Sequence, residues 1–287
     1  MRKIAVISYF VFLLALCTAC VTTDAVPVEV MQPTFQEEIM TEPETEAPTD
    51  PPTEPPTEPP TEPPVFSAEI TFYEEYVSGE EYMPYVLYSP SSVTENEAVP
   101  LIVFLHGIGE FGISEAGFMA DGLPQVMSNW KLEGFRAYVL APHMTDRWNT
   151  GYWYRPLALE YVKELIDHLA TEKSIDRERI ILVGFSAGGI GATYFAEQAP
   201  ELFSKLVVMS APVAGCGNLS SITIPTIGYS ETAVAGDSFM RAQFSWVFGA
   251  ESVRYYAVSH GMVPEAAFND DIDGNGRSDL VEWMLQD

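Results

Sequence analysis

"RIILVGFSAGGIGATYF", Arg179–Phe195, passes from an apolar, β-branched run through a serine among small residues into a segment of helical spacing. Ser186 is the centre of Gly184-Phe185-Ser186-Ala187-Gly188, a G-x-S-x-G pentapeptide followed by Gly189. A serine at a sharp strand-to-helix turn sits in strained backbone geometry, with its hydroxyl lifted above the sheet edge. The helix start adds free N–H groups and a positive dipole end, both of which favour a developing oxyanion. Small residues around a serine also suit a plain turn packed into a core, so the surrounding chain has to decide.

Outward from this stretch, short apolar runs alternate with helical ones. Residues 69–77 and 82–90 alternate apolar and polar residues and predict an opening antiparallel pair. Strands are expected at 100–107, 136–142, 179–184, 205–212, 223–230 and 252–261, with helices at 156–173, 187–200, 237–248 and 279–286. Buried apolar strands alternating with helices predict an α/β fold, a mostly parallel sheet with helices on both faces. Ligands of such sheets bind beyond the carboxyl ends of the strands.

Three of those ends carry reactive or glycine-rich residues. After "LIVFL" comes His106-Gly107-Ile108-Gly109-Glu110, a turn whose backbone can approach a carbonyl oxygen. The N–H groups of Ile108 and Ala187 are the expected oxyanion donors. Four histidines stand in the chain: 106, 143, 168 and 260. His106 precedes the glycine turn and reads as structural, His143 as lining the cleft edge, and His168 as a surface residue of a helix. His260 follows Ser186 and ends a predicted strand, which fits a general base in the order Ser…acid…His. The acid has two candidates in the loop after "TIGY". Glu231 has G-x-x-acid spacing, and Asp237 has the commoner residue type but could equally cap a helix.

These residues resemble the α/β-hydrolase superfamily. "PLIVFLHGIGE", "YVLAPH", "IDRERIILVGFSAGGIGATYFAEQAPELF" and "SHGMVP" are similar to a bacterial esterase group that includes secreted peptidases, polyhydroxybutyrate-depolymerase-like and feruloyl-esterase-like proteins. The likeness spans roughly residues 80–287. It implies a Ser-His-acid triad that cleaves carboxylic esters through an acyl-enzyme and requires no cofactor. Peptidase or thioesterase chemistry on the same triad, and a noncatalytic carbohydrate-binding protein, are the competing readings. Three departures stand out: a glutamate or displaced aspartate as acid, Ala187 after the serine, and an unusually aromatic "DRWNTGYW" at 146–153. Trp148 and Trp153, with Tyr152, Tyr154, Arg147 and Asn149, would wall a cleft for a sugar or aromatic acyl group, or else form core.

The N-terminal sequence gives the expected location. Arg2 and Lys3 precede a short apolar run ending in Cys17-Thr18-Ala19-Cys20, so residues 1–20 read as a secretory signal. Cys20 suits the acylated position of a bacterial lipoprotein, although Cys17 stands where leucine is usual. Residues 21–64 hold a Thr-Glu-Pro-Pro repeat, whose prolines remove donors and whose glutamates repel, so this part is an extended spacer. Residues 65–287 then form the catalytic domain. That domain has 12 basic and 30 acidic side chains, which disfavours nucleic acid and anionic lipid surfaces. The expectation is a monomer at the cell surface or outside the cell, touching membrane only through a lipid anchor. Its expected partner is an ester substrate, with a polysaccharide-linked ester as one form. Only Cys216 lies in the domain, so no disulfide forms within it.

A second pattern lies at the C-terminal end. "DIDGNGRSDLVE" matches a calcium loop, with ligands Asp271, Asp273, Asn275, the Arg277 carbonyl, Asp279 and Glu282. A bound Ca2+ would be structural. The competing reading is a turn followed by an Asp279/Glu282 capping box.

Overall fold

A computed structural model describes residues 68–73, 83–90, 93–94, 97–120, 135–145, 152–212, 217–232 and 244–287. All of them belong to one compact unit, Thr61–Asp287. The signal sequence, Cys20, the spacer, Trp148, Cys216 and Asp237 lie outside the described residues.

Eight described strands form one sheet: β1 (Ala68–Tyr73), β2 (Tyr85–Pro90), β3 (Val99–Leu105), β4 (Tyr138–Pro142), β5 (Ile175–Phe185), β6 (Lys205–Met209), β7 (Thr226–Glu231) and β8 (Val253–Tyr256). Their order is β1-β2-β4-β3-β5-β6-β7-β8. β2 is antiparallel to β1 and β4, and every other pairing is parallel. The described helices are α1 (Glu115–Ala120), α2 (Pro156–Glu172), α3 (Ala187–Gln198), α4 (Ser245–Phe248), α5 (Val263–Asn269) and α6 (Asp279–Leu285).

Alternation along the central strands explains the two cores. Successive strand side chains point to opposite faces. On β3, Leu101, Val103 and Leu105 join a cluster with residues of α2 and α3, while Ile102 and Phe104 join one with residues of α5 and α6. Both faces are therefore covered, which is why β3 is buried at every residue. α2 begins with Pro156 at its first helical position, where no N–H is needed. α6 is docked at its far end by Lys205, whose Nζ donates to the carbonyls of Trp283 at 2.7 Å and Gln286 at 2.5 Å.

Several boundaries differ from expectation. β8 stops at Tyr256, and His260 lies in a short 3-10 turn leading into α5, a helix that had no clear sequence signal. β5 starts four residues early, at Ile175, because Ile175 pairs with Val99 before an irregularity in the β3 ladder. His168, expected at the surface, is buried on the inner side of α2 beside Leu165 and Leu169, with Nε2 3.7 Å from Glu172.

The parallel register sets the site. Leu105 pairs with Gly184, Gly184 with Val208, and Met209 with Tyr229. Residues just after these positions therefore meet at one edge. Between β5 and α3 the chain leaves no space for side chains. A Cβ on Gly184 would strike the Gly188 carbonyl, and one on Gly188 would strike the Leu105 carbonyl. We predict that Gly188→Ala destabilises the fold by about 1–3 kcal/mol, because backbone cannot yield as a side chain can. Gly109→Ala, which meets nothing within 4 Å, should leave urea denaturation midpoints unchanged.

Candidate active site

Ser186 follows the last residue of β5 and precedes α3. Its backbone has φ 53° and ψ −117°, one of three described non-glycine residues with positive φ. Such geometry persists only where the surroundings enforce it. Here the Ser186 N–H donates to the Met209 carbonyl at 2.8 Å, and the Ser186 carbonyl accepts from Gly189 and Ile190 as α3 begins. Ala187 is the first residue of that helix, so its N–H has no intrahelical acceptor.

Across the edge, Gly107 leads into a short 3-10 turn at Ile108–Glu110. Ile108 is 57 % exposed and lines the same cleft as Ser186. His106 supports this turn from below. It is wholly buried, Met144 N–H donates to its Nε2 at 3.1 Å, and its Nδ1 contacts the Gly107 carbonyl at 2.8 Å. Nε2 must accept, so Nδ1 carries the proton and the ring is neutral. Burial pushes its pKa down to about 3, overcoming the opposing Gly107 carbonyl. His106 is thus structural, as its position before the glycines suggested.

His260 Nδ1 lies 2.8 Å from Glu231 Oε1. Donation of the Nδ1 proton to the carboxylate leaves Nε2 with a basic lone pair. The imidazole packs against Phe185, with ring centroids 4.9 Å apart. Glu231 is only 5 % exposed. Burial pushes its carboxyl up, but hydrogen bonds from Ser210, its own backbone and His260, together with the imidazole charge, bring it below the ordinary glutamate range. Of the two acids read from the sequence, Glu231 is the one on His260; Asp237 lies outside the described residues. Ser210 had no signal in the sequence beyond its place at a strand end.

Ser186 and His260 line one cleft of about 380 Å³, with apolar walls from Phe104, Ile108, Phe185 and Met262. A serine, an imidazole with an oriented lone pair and two backbone N–H groups are the parts that acyl transfer uses.

Two expected cleft residues lie elsewhere. Trp153 has no exposed surface; it packs in the core with Ala158 and Leu159, its Cβ against Gly191, and its Nε1 donates to the His106 carbonyl at 3.0 Å. An indole that can both fill core volume and satisfy a buried carbonyl is more useful there than at a cleft wall. His143 is also buried, stacked on Phe118 at 4.2 Å, with Nε2 3.2 Å from the Glu110 carbonyl. Tyr152 and Tyr154 stack on each other at 5.4 Å, and Tyr152 is partly exposed.

The C-terminal loop closes on itself. Carboxylate oxygens of Asp271, Asp273 and Asp279 lie within 4.8 Å of one another. Asn275 occupies the middle, its Nδ2 donating to Asp273 at 3.1 Å and to Glu282 at 3.2 Å. Arg277 N–H donates to Asn275 Oδ1, and Arg254 donates to Asp279 Oδ2 at 2.9 Å. The expected capping box is replaced: Ser278 is the N-cap of α6, its Oγ accepting from Val281 N–H at 3.3 Å. Asp279 is the first residue of the helix, and its carboxylate is held by Arg254.

Comparison with known proteins agrees with this architecture. A thermostable esterase superposes with a TM-score of 0.54 at 22 % identity, covering 76 % of this chain and 62 % of that one; the shared fold is that of the α/β-hydrolases. Poly(3-hydroxyalkanoate) depolymerase C of Paucimonas lemoignei is 26 % identical over 54 % of this chain and 38 % of its own. Feruloyl esterase B of Thermothelomyces thermophilus is 25 % identical over 57 % and 58 %. The chain thus spans less than two thirds of the length of either relative. The family model described as Esterase matches residues 78–244, which holds the Ile108 turn, Ser186 and Glu231, and the chain belongs to that family.

Proposed function

We propose that this protein is a serine hydrolase of carboxylic esters. The observation that carries the reading is the 2.8 Å contact between His260 Nδ1 and Glu231 Oε1 at the strand edge occupied by the Ser186 turn. Ser186 Oγ attacks the ester carbonyl while His260 Nε2 takes its proton. The oxyanion is held by the N–H groups of Ile108 and Ala187. Collapse of the tetrahedral adduct breaks the bond to the alcohol, which receives the proton from His260. Water, deprotonated by the same imidazole, then cleaves the acyl-serine and regenerates the hydroxyl. Glu231 keeps the imidazole in the Nδ1–H tautomer and offsets its charge when Nε2 is protonated.

The cleft and the relatives each lend support to a substrate class. Apolar walls favour the acyl side of an ester over a charged group. The names of two relatives, a poly(3-hydroxyalkanoate) depolymerase and a feruloyl esterase, support carboxylic esters of polymers or of aromatic acids as substrates, and within that class our reading is an acyl group on a plant or cell-wall polysaccharide. The signal-like residues 1–20, Cys20 and the proline-rich spacer support a domain tethered at the outer face of a bacterial membrane. On this reading no cofactor takes part in turnover.

For the 271–282 loop we propose a structural calcium ion. Its candidate donors are all oxygens, as Ca2+ requires. Asp271 Oδ1 is buried and has no hydrogen-bond partner among the described residues, and coordination to a cation would satisfy it. Without an ion, the Asn275 amide serves as the central donor.

Two tests follow. Ser186→Ala should lower turnover of a short-chain p-nitrophenyl ester by at least about 10³-fold with the melting midpoint retained; an active variant would overturn the reading. Calcium should raise the melting midpoint and a chelator should reverse the rise, whereas coincident midpoints would remove the ion.

A further inference from the structure

We propose that Ser210 is a positioning residue for the reaction, one that holds the second oxygen of Glu231 and thereby the tautomer and tilt of His260. This rests on the esterase reading above. Ser210 immediately follows β6 and is buried. Its Oγ donates to Glu231 Oε2 at 2.6 Å, while Ser230 Oγ lies farther from the same oxygen, at 3.4 Å. Glu231 is thus gripped at both oxygens, Oε1 by His260 and Oε2 by Ser210.

The need for this grip comes from the residue type. A glutamate has one more rotatable bond than an aspartate, and a longer carboxylate swings through a wider arc unless it is tied. In a buried place an untied oxygen also costs the hydrogen bonds it gave up to water.

The backbone is bent to supply the grip. Ser210 has φ 49°, in the left-handed region that a non-glycine residue enters at a cost. Its N–H donates to the Tyr229 carbonyl at 2.8 Å, two residues before the acid. The preceding carbonyl, that of Met209, accepts the N–H of Ser186 at 2.8 Å. One strained dipeptide therefore tethers the residue that carries the nucleophile by its backbone and the acid by its side chain.

Ser210→Gly tests the idea with little risk to the fold, because glycine adopts φ 49° freely and only the short CH2OH side chain is lost. Ser210→Ala keeps the Cβ as a second variant. Both should lower kcat by about tenfold, the scale of one hydrogen bond to a charged group, with KM within about twofold. The loss should vanish when Ser210→Gly is made in a Glu231→Ala background, since a residue acting through Glu231 has nothing left to position.

An acid titration of stability supplies a readout that kinetics do not. A hydrogen bond to the ionised carboxylate lowers its folded pKa, so the stability it gives is present above the unfolded glutamate pKa and is lost as pH falls through the folded one. Without the Ser210 donor the folded pKa rises, and the acid limb of the melting curve should move to higher pH. An equal kcat loss in both backgrounds, or wild-type kcat in Ser210→Gly, would overturn the proposal. Wild-type protein that turns over no ester would instead refute the esterase reading.

Discussion

The closeness with which β5, β3 and α3 pass one another governs the site. Gly184 and Gly188 remove the side chains that would hold helix from strand, and the atom nearest the missing Cβ of Gly188 is the carbonyl of Leu105 on the neighbouring strand. Leu105 is two residues from Gly107. The contact that lets the chain turn sharply at Ser186 therefore also fixes how far that turn lies from Ile108. Interiors are packed too tightly for such a contact to be loosened locally. A methyl group at Gly188 would move the serine and the glycine turn apart together.

Buried polar groups stiffen the second half of this arrangement. The Ile108 turn rests on His106, and His106 rests on Trp153 and the Met144 N–H. Each of these hydrogen bonds satisfies a group that would be costly to bury alone. The neutral ring is held between one donor and one acceptor, and burial pushes its pKa down to about 3 against the opposing pull of the Gly107 carbonyl, so His106 stays uncharged near neutrality. The two histidines of the edge are thus separated by environment. His106 is enclosed and inert, and His260 is half-exposed beside a carboxylate.

How much of this was legible in the sequence depended on whether the information was local. The sheet, its parallel core, the Ser186 turn and the position of His260 are written in short runs: apolar strands, a glycine-serine-glycine spacing, and a histidine after "YYAV". What escaped is tertiary. Nothing around Trp153 tells an indole that buttresses a carbonyl from one that faces a sugar; both uses demand an aromatic residue beside polar ones. His168 has a helix neighbourhood that could face either way by one turn. Ser210 lies 24 residues from Ser186 and 21 from Glu231, and only the pairing of β6 with both β5 and β7 brings it between them. The N-cap of α6 is Ser278 and not the Asp279 of the capping-box reading, a one-residue difference that only the geometry of the helix start decides.

The choice of glutamate over aspartate has a structural reason. Glu231 is itself the last residue of β7 and is paired with Tyr256 of β8, so its backbone is fixed by the sheet rather than by a loop. Thr232 N–H continues the pairing to the Tyr256 carbonyl at 2.9 Å. A carboxylate rooted in the paired end of a strand must reach outward to meet an imidazole in the turn before α5, and the extra methylene supplies that reach. An aspartate at 231 would keep the backbone but fall short of His260 by about one carbon–carbon bond, roughly 1.5 Å. That deficit would break a 2.8 Å hydrogen bond unless the histidine turn moved inward, and Val263, buried at the start of α5, leaves that turn little room to do so. The paired position of Glu231 and the length of its side chain therefore fit one another.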